Sequence, residues 1–375
     1  MIYFDNSATT RVDETAAERA VQIMRGQFGN PSSLHGVGAE AYGELGLARN
    51  QIAKMLAAKT DCVYFTSGGT ESNNLAIQGG ARANMKTGRH IVATAIEHDS
   101  VLFACRYMEQ QGWRVTYVRP DPESHRISAE DVIGAVEADT ALVSVMFVNN
   151  ETGEIFPLAE IVDGVRKKNP DTLIHTDCVQ GFGKIPFKLF QYDVDMVSAS
   201  AHKIHGPKGI GALYLRCRDM VEPLMYGGSQ EGRISPGTES VPLACAFGEA
   251  ADKALYRMTE RLEQVANVRR RLEDRLLEKI PGAAVNSPSD ASPYILNVSL
   301  PGIPSYDIIN WLSMRQIYVS AGSACSKGAK SHVLQAMGFD GERIDTALRI
   351  SLSKYNTLDE ADLFVNALED YLHVR

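Results

Sequence analysis

From residue 90 to residue 215 the chain alternates short apolar runs with amphipathic stretches, and that rhythm constrains the fold more than any other feature. The runs 90–94, 114–119, 141–148, 173–176, 196–199 and 211–215 have the length and character of strands. Between several of them, 71–85, 101–111, 129–136 and 158–168 repeat apolar residues at helical spacing. Strand and helix in alternation is the pattern of an α/β fold. The run 141–148 is almost continuously apolar, as expected of a strand covered by helices on both faces.

After Pro242 the texture changes. A long charged helix pattern, 262–277, stops near Pro281 and Gly282. Strand-like 294–300, helical 306–315, strand-like 317–320 and 348–353, and helical 358–372 follow. This reads as a smaller α+β domain that starts inside or just before the long helix. With 375 residues the chain is long enough for two cores.

The net charge of −8 argues against a general nucleic-acid binder, which would show a basic stripe. No apolar run approaches the roughly 20 residues that span a bilayer, so no membrane partner is expected. Residues Met1 to Asn6 lack the basic region and apolar stretch of a secretory signal, so a cytoplasmic location is expected. Cysteines stand at 62, 105, 178, 217, 245 and 325, with no CxxC pair and no cluster with histidine. That spacing argues against a zinc site and a disulfide framework, and no metal is expected. Taken alone, each cysteine reads as a small buried hydrophobe.

Cys325 is set apart from the others by its neighbours. It follows Ser320, Ala321, Gly322, Ser323 and Ala324 and precedes Lys327, Gly328, Ala329 and Lys330, with no apolar anchor. An exposed, mobile cysteine beside positive charge is expected there, which favours its thiolate.

Three further segments carry chemistry. Phe65 to Glu71 ends a strand-like run and opens a helix, with Gly68 and Gly69 permitting close backbone approach. A helix N-terminus offers phosphate free N–H groups and a favourable dipole. By itself such a turn is more often plain structure, and no Gly-Lys-Ser/Thr follows to make a Walker loop. Asp177 ends the run 173–176, where open α/β sheets place their ligands. Alone it serves equally as a helix cap or loop residue. Lys203 ends the next run, after the small residues Ser198 to Ala201 and His202. Most lysines are solvated surface charges, but one confined at a strand end becomes less basic and forms a Schiff base with an aldehyde. Together, a phosphate turn, an acid and a lysine at successive strand ends are the parts that pyridoxal phosphate requires. The turn anchors the phosphate, the acid keeps the pyridine nitrogen protonated, and the lysine holds the aldehyde.

Over nearly its whole length, from Tyr3 to Leu352, the sequence resembles the cysteine desulfurases of the aminotransferase class V family, of fold type I. The most specific stretches are 198–209, with Ser200, His202, Lys203, Gly206 and Pro207, and Ser323 to Ser326. The resemblance implies a large cofactor-binding domain, 13–245, with a mixed, mostly parallel seven-stranded sheet. It implies a smaller α+β domain formed by 1–12 and 246–375. Pyridoxal 5′-phosphate would be carried by Lys203, which would also move protons at the substrate α-carbon. Asp177 would pair with the pyridinium nitrogen and Gln180 with the ring hydroxyl. His98 would stack on the ring and assist proton transfer; read alone, it is a surface loop histidine. Gly69, Thr70, Ser200 and His202 would hold the phosphate. Thr238 would reach a phosphate across a dimer interface, so a homodimer is expected. Asn150 would lie near the ring hydroxyl and the substrate. Arg349 would clamp the carboxylate of L-cysteine through its planar fork; read alone, it serves equally as an ion-pair partner. Cys325 would take the substrate sulfur as a persulfide, leaving alanine, for transfer to a sulfur-acceptor protein.

The sequence departs from the family pattern in three places. The loop from Cys325 to Val333 is shorter than in the housekeeping iron–sulfur members, which bears on delivery to a remote scaffold. Ser235 stands where an Arg is usual before the Gly237-Thr238 pair, with Arg233 nearby, which bears on phosphate and interface contacts. Ser7 stands where Ala is common. Two competing readings stay open: another reaction on the same fold, such as an aminotransferase or a selenocysteine lyase, and a sulfur-relay protein that mainly docks a partner. Cys325 discriminates against aminotransfer, which needs no cysteine nucleophile. Lys327, Lys330 and Ser235 motivate the docking reading. A nucleotide-dependent dehydrogenase is disfavoured, since no GxGxxG follows an early strand.

Overall fold

A computed structural model describes residues 1–321 and 330–374. Cys325 and Lys327 therefore lie outside the described residues. Among the described residues the strands, in chain order, are β1 (Ile2–Tyr3), β2 (Val63–Thr66), β3 (His90–Thr94), β4 (Arg114–Val118), β5 (Thr140–Ser144) and β6 (Leu173–Asp177). They continue with β7 (Met196–Ser200), β8 (Gly211–Leu215), β9 (Ala284–Val285), β10 (Ile295–Ser299), β11 (Ile317–Tyr318) and β12 (Ala347–Ser351).

The large sheet has seven strands in the order β2-β8-β7-β6-β5-β3-β4. Strands β4, β3, β5, β6 and β7 pair in parallel, while β8 runs antiparallel to both β7 and β2. Every residue of β3, β5, β7 and β8 is buried, which explains their near-unbroken apolar runs. The α/β fold with a mostly parallel seven-stranded sheet is therefore present as the sequence implied. The chain passes outward from β3 to β4 and returns on the other side of β3 as β5. Reversal of strand succession at that point opens a crevice at the carboxyl ends of the strands.

The smaller sheet has the order β12-β10-β9 and is antiparallel. The N-terminal residues are sewn to this part of the molecule: β1 pairs in parallel with β11, and Ser351 N–H donates to Phe4 O at 2.6 Å. Helices Met258–Lys279 and Leu358–Val374 pack together beside it, burying Leu272, Leu276, Phe364 and Leu368. Burial of such a side chain contributes about 1.5–3 kcal/mol.

Several expectations change. The run 141–148 is a strand only to Ser144, because the Met146 N–H turns aside to Glu97 Oε1 at 2.9 Å. Helices Glu14–Gly26, Gly36–Leu56 and Val241–Leu255 were not apparent from the sequence. The second carries glycines that lower helix propensity and is stabilised by packing on the third. A Cβ on Gly248 would lie only 3.0 Å from Ala48 Cα, so the close approach of these helices needs glycine. Cys105, Cys178 and Cys245 are buried, but Cys62 is half-buried and Cys217 is exposed, so the buried-hydrophobe reading fails for Cys217. Among the described residues no helix is long and apolar enough to cross a membrane.

Candidate active site

The ends of β6 and β7 form the floor of a cavity of about 260 Å³. Asp177, the last residue of β6, is buried there. Its carboxylate accepts from Asn73 Nδ2 at 2.7 Å and from the Val179 N–H at 2.9 Å. Asn73 Nδ2 also donates to Ser100 Oγ at 2.8 Å, and that hydroxyl meets His98 Nδ1 at 2.8 Å. His98 caps the helix Asp99–Gln110, and its Nδ1 accepts from the Ser100 N–H at 3.1 Å. The neutral ring therefore carries its proton on Nε2. Burial is the main force holding its pKa below the usual histidine range, with the Lys203 charge adding to it. His98 is thus a half-buried wall of the cavity, not the surface histidine it resembles when read alone.

Lys203 follows β7 on a short 3₁₀ turn, Ala201–Lys203. Its Nζ donates to Ser7 O at 2.5 Å and Ala8 O at 2.9 Å, and it lines the same cavity as Asp177. Gln180 Nε2 also donates to Ser7 O, at 3.0 Å. The position implied for a ring hydroxyl contact thus finds Gln180 engaged with the N-terminal segment. His202 Nδ1 meets Thr9 Oγ1 at 3.2 Å, and burial with the Lys203, Lys208 and Lys184 charges pushes its pKa down to about 4.

Beyond Lys203 the cavity adjoins a shallower one bounded by Gly68, Gly69, Thr70, Ser200, His202 and Gly209. A Cβ on Gly211 would lie 2.7 Å from Gly68 Cα, and one on Gly69 would lie 2.9 Å from Val179 Cγ2. Those glycines let the turn close onto the strand ends. Ser235 does not leave a gap at this turn: its Oγ donates to Glu71 Oε1 at 2.7 Å, and Glu71 Oε2 accepts from Ser67 N–H at 2.6 Å.

The opposite wall comes from Asn150 and Arg349. Arg349 lies in the middle of β12 and is buried. Its Nη2 pairs with Asp5 Oδ1 at 2.9 Å, and Nη1 donates to Asn150 O at 3.2 Å. This arginine is therefore an ion-pair partner that also lines the cavity. His332 joins the wall, its Nε2 placed 3.0 Å from Glu97 O. Ser331 Oγ donates to Glu151 Oε2 at 2.5 Å, and burial raises the Glu151 pKa.

The cavity suits pyridoxal phosphate. A buried carboxylate and a lysine amine line it, and a glycine turn borders it. Asn73 Oδ1, Asn150 Oδ1 and Arg349 Nε are buried with no hydrogen-bond partner among the described residues. Each such atom costs about 1–3 kcal/mol until a polar ligand satisfies it.

The structure thus gathers Gly69, Thr70, His98, Asn150, Asp177, Gln180, Ser200, His202, Lys203 and Arg349 around one cavity. Thr238 is exposed and does not line it. Cys325 lies outside the described residues. The sequence reading missed Asn73, Ser100, Glu151 and His332. Asn73 lies one helical turn beyond Thr70 on the helix that opens at Gly69, a spacing that could have marked it.

A family model described as aminotransferase class-V matches residues 2–364. The chain is 41% identical to a protein named "NifS/IcsS protein homolog" from Lactobacillus delbrueckii subsp. bulgaricus, covering 100% of this chain and 98% of that one. It is 40% identical to "Cysteine desulfurase IscS" of Methanosarcina thermophila, covering 96% of this chain and 89% of the relative. Among solved structures, a "NIFS-LIKE PROTEIN" superposes with a TM-score of 0.94 at 39% identity, covering 100% of both chains. Another, described as "SspA in complex with cysteine", gives a TM-score of 0.82 at 33% identity, over 95% of this chain and 100% of that one.

Proposed function

We propose, from the premise that this chain belongs to the aminotransferase class-V family, that it is a cysteine desulfurase. It removes sulfur from L-cysteine, leaves L-alanine, and receives the sulfur on Cys325. The observation that carries the reading is full-length similarity, near 40% identity, to a relative named as that enzyme. The geometry supports it through Asp177, Lys203 and Arg349 around one cavity.

Pyridoxal phosphate, when bound, supplies an electron sink that weakens bonds at the α-carbon of an amino acid. Lys203 would hold the aldehyde and, once released, move a proton at the substrate α-carbon. Asp177, fixed by Asn73 and the Val179 N–H, would keep the pyridine nitrogen protonated. Gly69, Thr70, Ser200 and His202 would hold the phosphate, with Thr238 supplied by a second copy in a homodimer. Gln180 and Asn150 would approach the ring hydroxyl. Neutral His98 would bound the ring and offer its Nε2 for proton transfer. Arg349, pre-oriented by Asp5, would bind the substrate carboxylate. The Cys325 thiolate then attacks the substrate sulfur: an S–S bond forms, the C–S bond breaks, and the carbon takes a proton to become alanine. The persulfide passes to a sulfur-acceptor protein. A cytoplasmic location and the division into 13–245 and 1–12 with 246–375 belong to the same reading.

Mass spectrometry of the Cys325 peptide after incubation with L-cysteine should find one added sulfur. A Cys325→Ala variant should release no sulfide while keeping the cofactor's visible absorbance. Undiminished sulfide from that variant would refute the persulfide route.

A further inference from the structure

Lys184 is a buried cation that the reactions above leave unused. It follows Gln180 on the turn beyond β6 and is almost fully buried. Among the described residues no carboxylate stands within ion-pair distance of it. Its Nζ donates to Gln180 Oε1 at 2.8 Å, and the ring centre of Tyr294 lies 5.9 Å away. A lysine so placed is costly to keep unless it serves something.

What it touches has two different ends. The Ser7 carbonyl can only accept, so it takes the Gln180 Nε2 at 3.0 Å. Lys184 donates, so it takes the oxygen. Turning the carboxamide around would set donor against donor and acceptor against acceptor. The Ser7 oxygen also accepts from Lys203 Nζ at 2.5 Å. Lys184, Gln180, Ser7 and Lys203 therefore form one chain of hydrogen bonds. Gln180, Ser7 and Lys203 line the large cavity, while Lys184 lies behind it beside a second cavity of about 30 Å³ that Lys203 also borders.

We propose that Lys184 is a positioning residue: it locks the Gln180 carboxamide with its nitrogen on Ser7 and so limits how strongly the Ser7 carbonyl holds a proton on Lys203. The inference rests on the reading that Lys203 carries pyridoxal phosphate. Around Lys184 stand Lys203, Arg349, His205, Arg261 and Lys354, the last paired with Asp13 at 2.6 Å. Burial first, then the Lys203 and Arg349 charges, push Lys184 down to about 7. The protonated amine has no lone pair and can only donate to Gln180, so the lock is firmest below about 7. When that donor is lost, the carboxamide is held at its Ser7 end alone, the Nε2 bond to Ser7 O loosens, and the protonated form of Lys203 gains a larger share of that oxygen.

The test is a pH titration of the cofactor's visible absorbance in the holoenzyme, which needs no turnover. Lys184→Met should raise the midpoint by roughly half a pH unit or more. Lys184→Gln, which keeps a neutral donor, should return it close to the wild-type value. Gln180→Met should reproduce the rise, and Lys184→Met added to it should shift the midpoint no further. An unchanged midpoint in Lys184→Met, or a full additional shift on the Gln180→Met background, overturns the proposal. Should Lys184→Met fail to fold, Lys184→Gln and Gln180→Met still decide it, since a normal midpoint in Gln180→Met is equally fatal. Sulfur on Cys325 is measured in the same preparations. A titrating wild-type chromophore without added sulfur sinks the desulfurase reading and leaves the inference standing, whereas a wild type that binds no cofactor overturns both.

Discussion

The two sheets furnish the cavity by different routes. The large sheet contributes Asp177 and Ser200 as the last residues of β6 and β7, with Lys203 just beyond. Such groups need only a strand that stops at the crevice, because topology has already set where strand ends gather. The small sheet contributes Arg349 from the middle of β12, opposite Asn297 in the register. A mid-strand guanidinium reaches the cavity only because Asp5 and the Asn150 carbonyl hold its two terminal nitrogens. Groups at strand ends should therefore carry chemistry with little share in stability, whereas Arg349 should carry both at once.

The sharpest way to break this comparison is at Lys203. Lys203→Ala should lower kcat for alanine formation by at least about a thousandfold. Its unfolding free energy should change by less than about 1 kcal/mol, since its hydrogen bonds to Ser7 O and Ala8 O face an accessible cavity where water can replace them. Turnover within tenfold of wild type, or a large loss in a urea titration, would put Lys203 among structural residues.

Arg349 should answer with two losses together. Arg349→Lys keeps the charge but loses the fork, so KM for L-cysteine should rise by roughly ten- to a hundredfold with a smaller change in kcat. Urea unfolding should show about 1–3 kcal/mol of lost stability, because Asp5 and Asn150 O lose a fixed donor pair. Asp5→Asn should act in the same direction and more weakly, raising KM by a few-fold. A change in KM with stability untouched would mean that the mid-strand residue behaves like an end-of-strand one, and the contrast would fall.

Legibility in the sequence follows the same division. Asp177, Lys203 and the turn at Gly69 could be read because each closes a local apolar run, and period and length are local signals. Arg349 could not be decided, because only long-range pairing says whether a mid-strand arginine faces a cavity or a carboxylate; here it does both. Asn73 and Ser100 act through a chain that joins two helices and a strand end, and no single segment announces it. Helix Gly36–Leu56 was missed because its glycines weaken the local signal while Ala48 against Gly248 supplies the tertiary one. Lys184 looked like any other lysine until its burial beside Gln180 was visible. Thr238 is exposed and lies outside the cavity lining, so nothing within one chain assigns it a place at the site.

An effect that appears only as pH changes is expected where the two regions meet. Glu97 lies just past β3, wholly buried, with Oε1 accepting from Thr94 Oγ1 at 2.8 Å and from the Met146 N–H. Its Oε2 has no hydrogen-bond partner among the described residues, and its backbone oxygen meets His332 from the other region. Burial pushes its pKa up to about 8 from an ordinary value of 4.5. A raised pKa means that the folded protein keeps a proton which the unfolded chain releases, so this group's contribution is fully present below 4.5 and is lost as pH rises through 8. Glu97→Gln preserves the shape without the titration. Between pH 5.5 and 7.5 the wild type should therefore lose roughly 2–3 kcal/mol more stability than the variant, close to the limit of about 1.4 kcal/mol per pH unit for one proton. Urea unfolding of both proteins across that range measures it. Parallel stability curves would show that Glu97 is ionised in the folded state, and that the seam is held by a paired charge instead of a buried neutral acid.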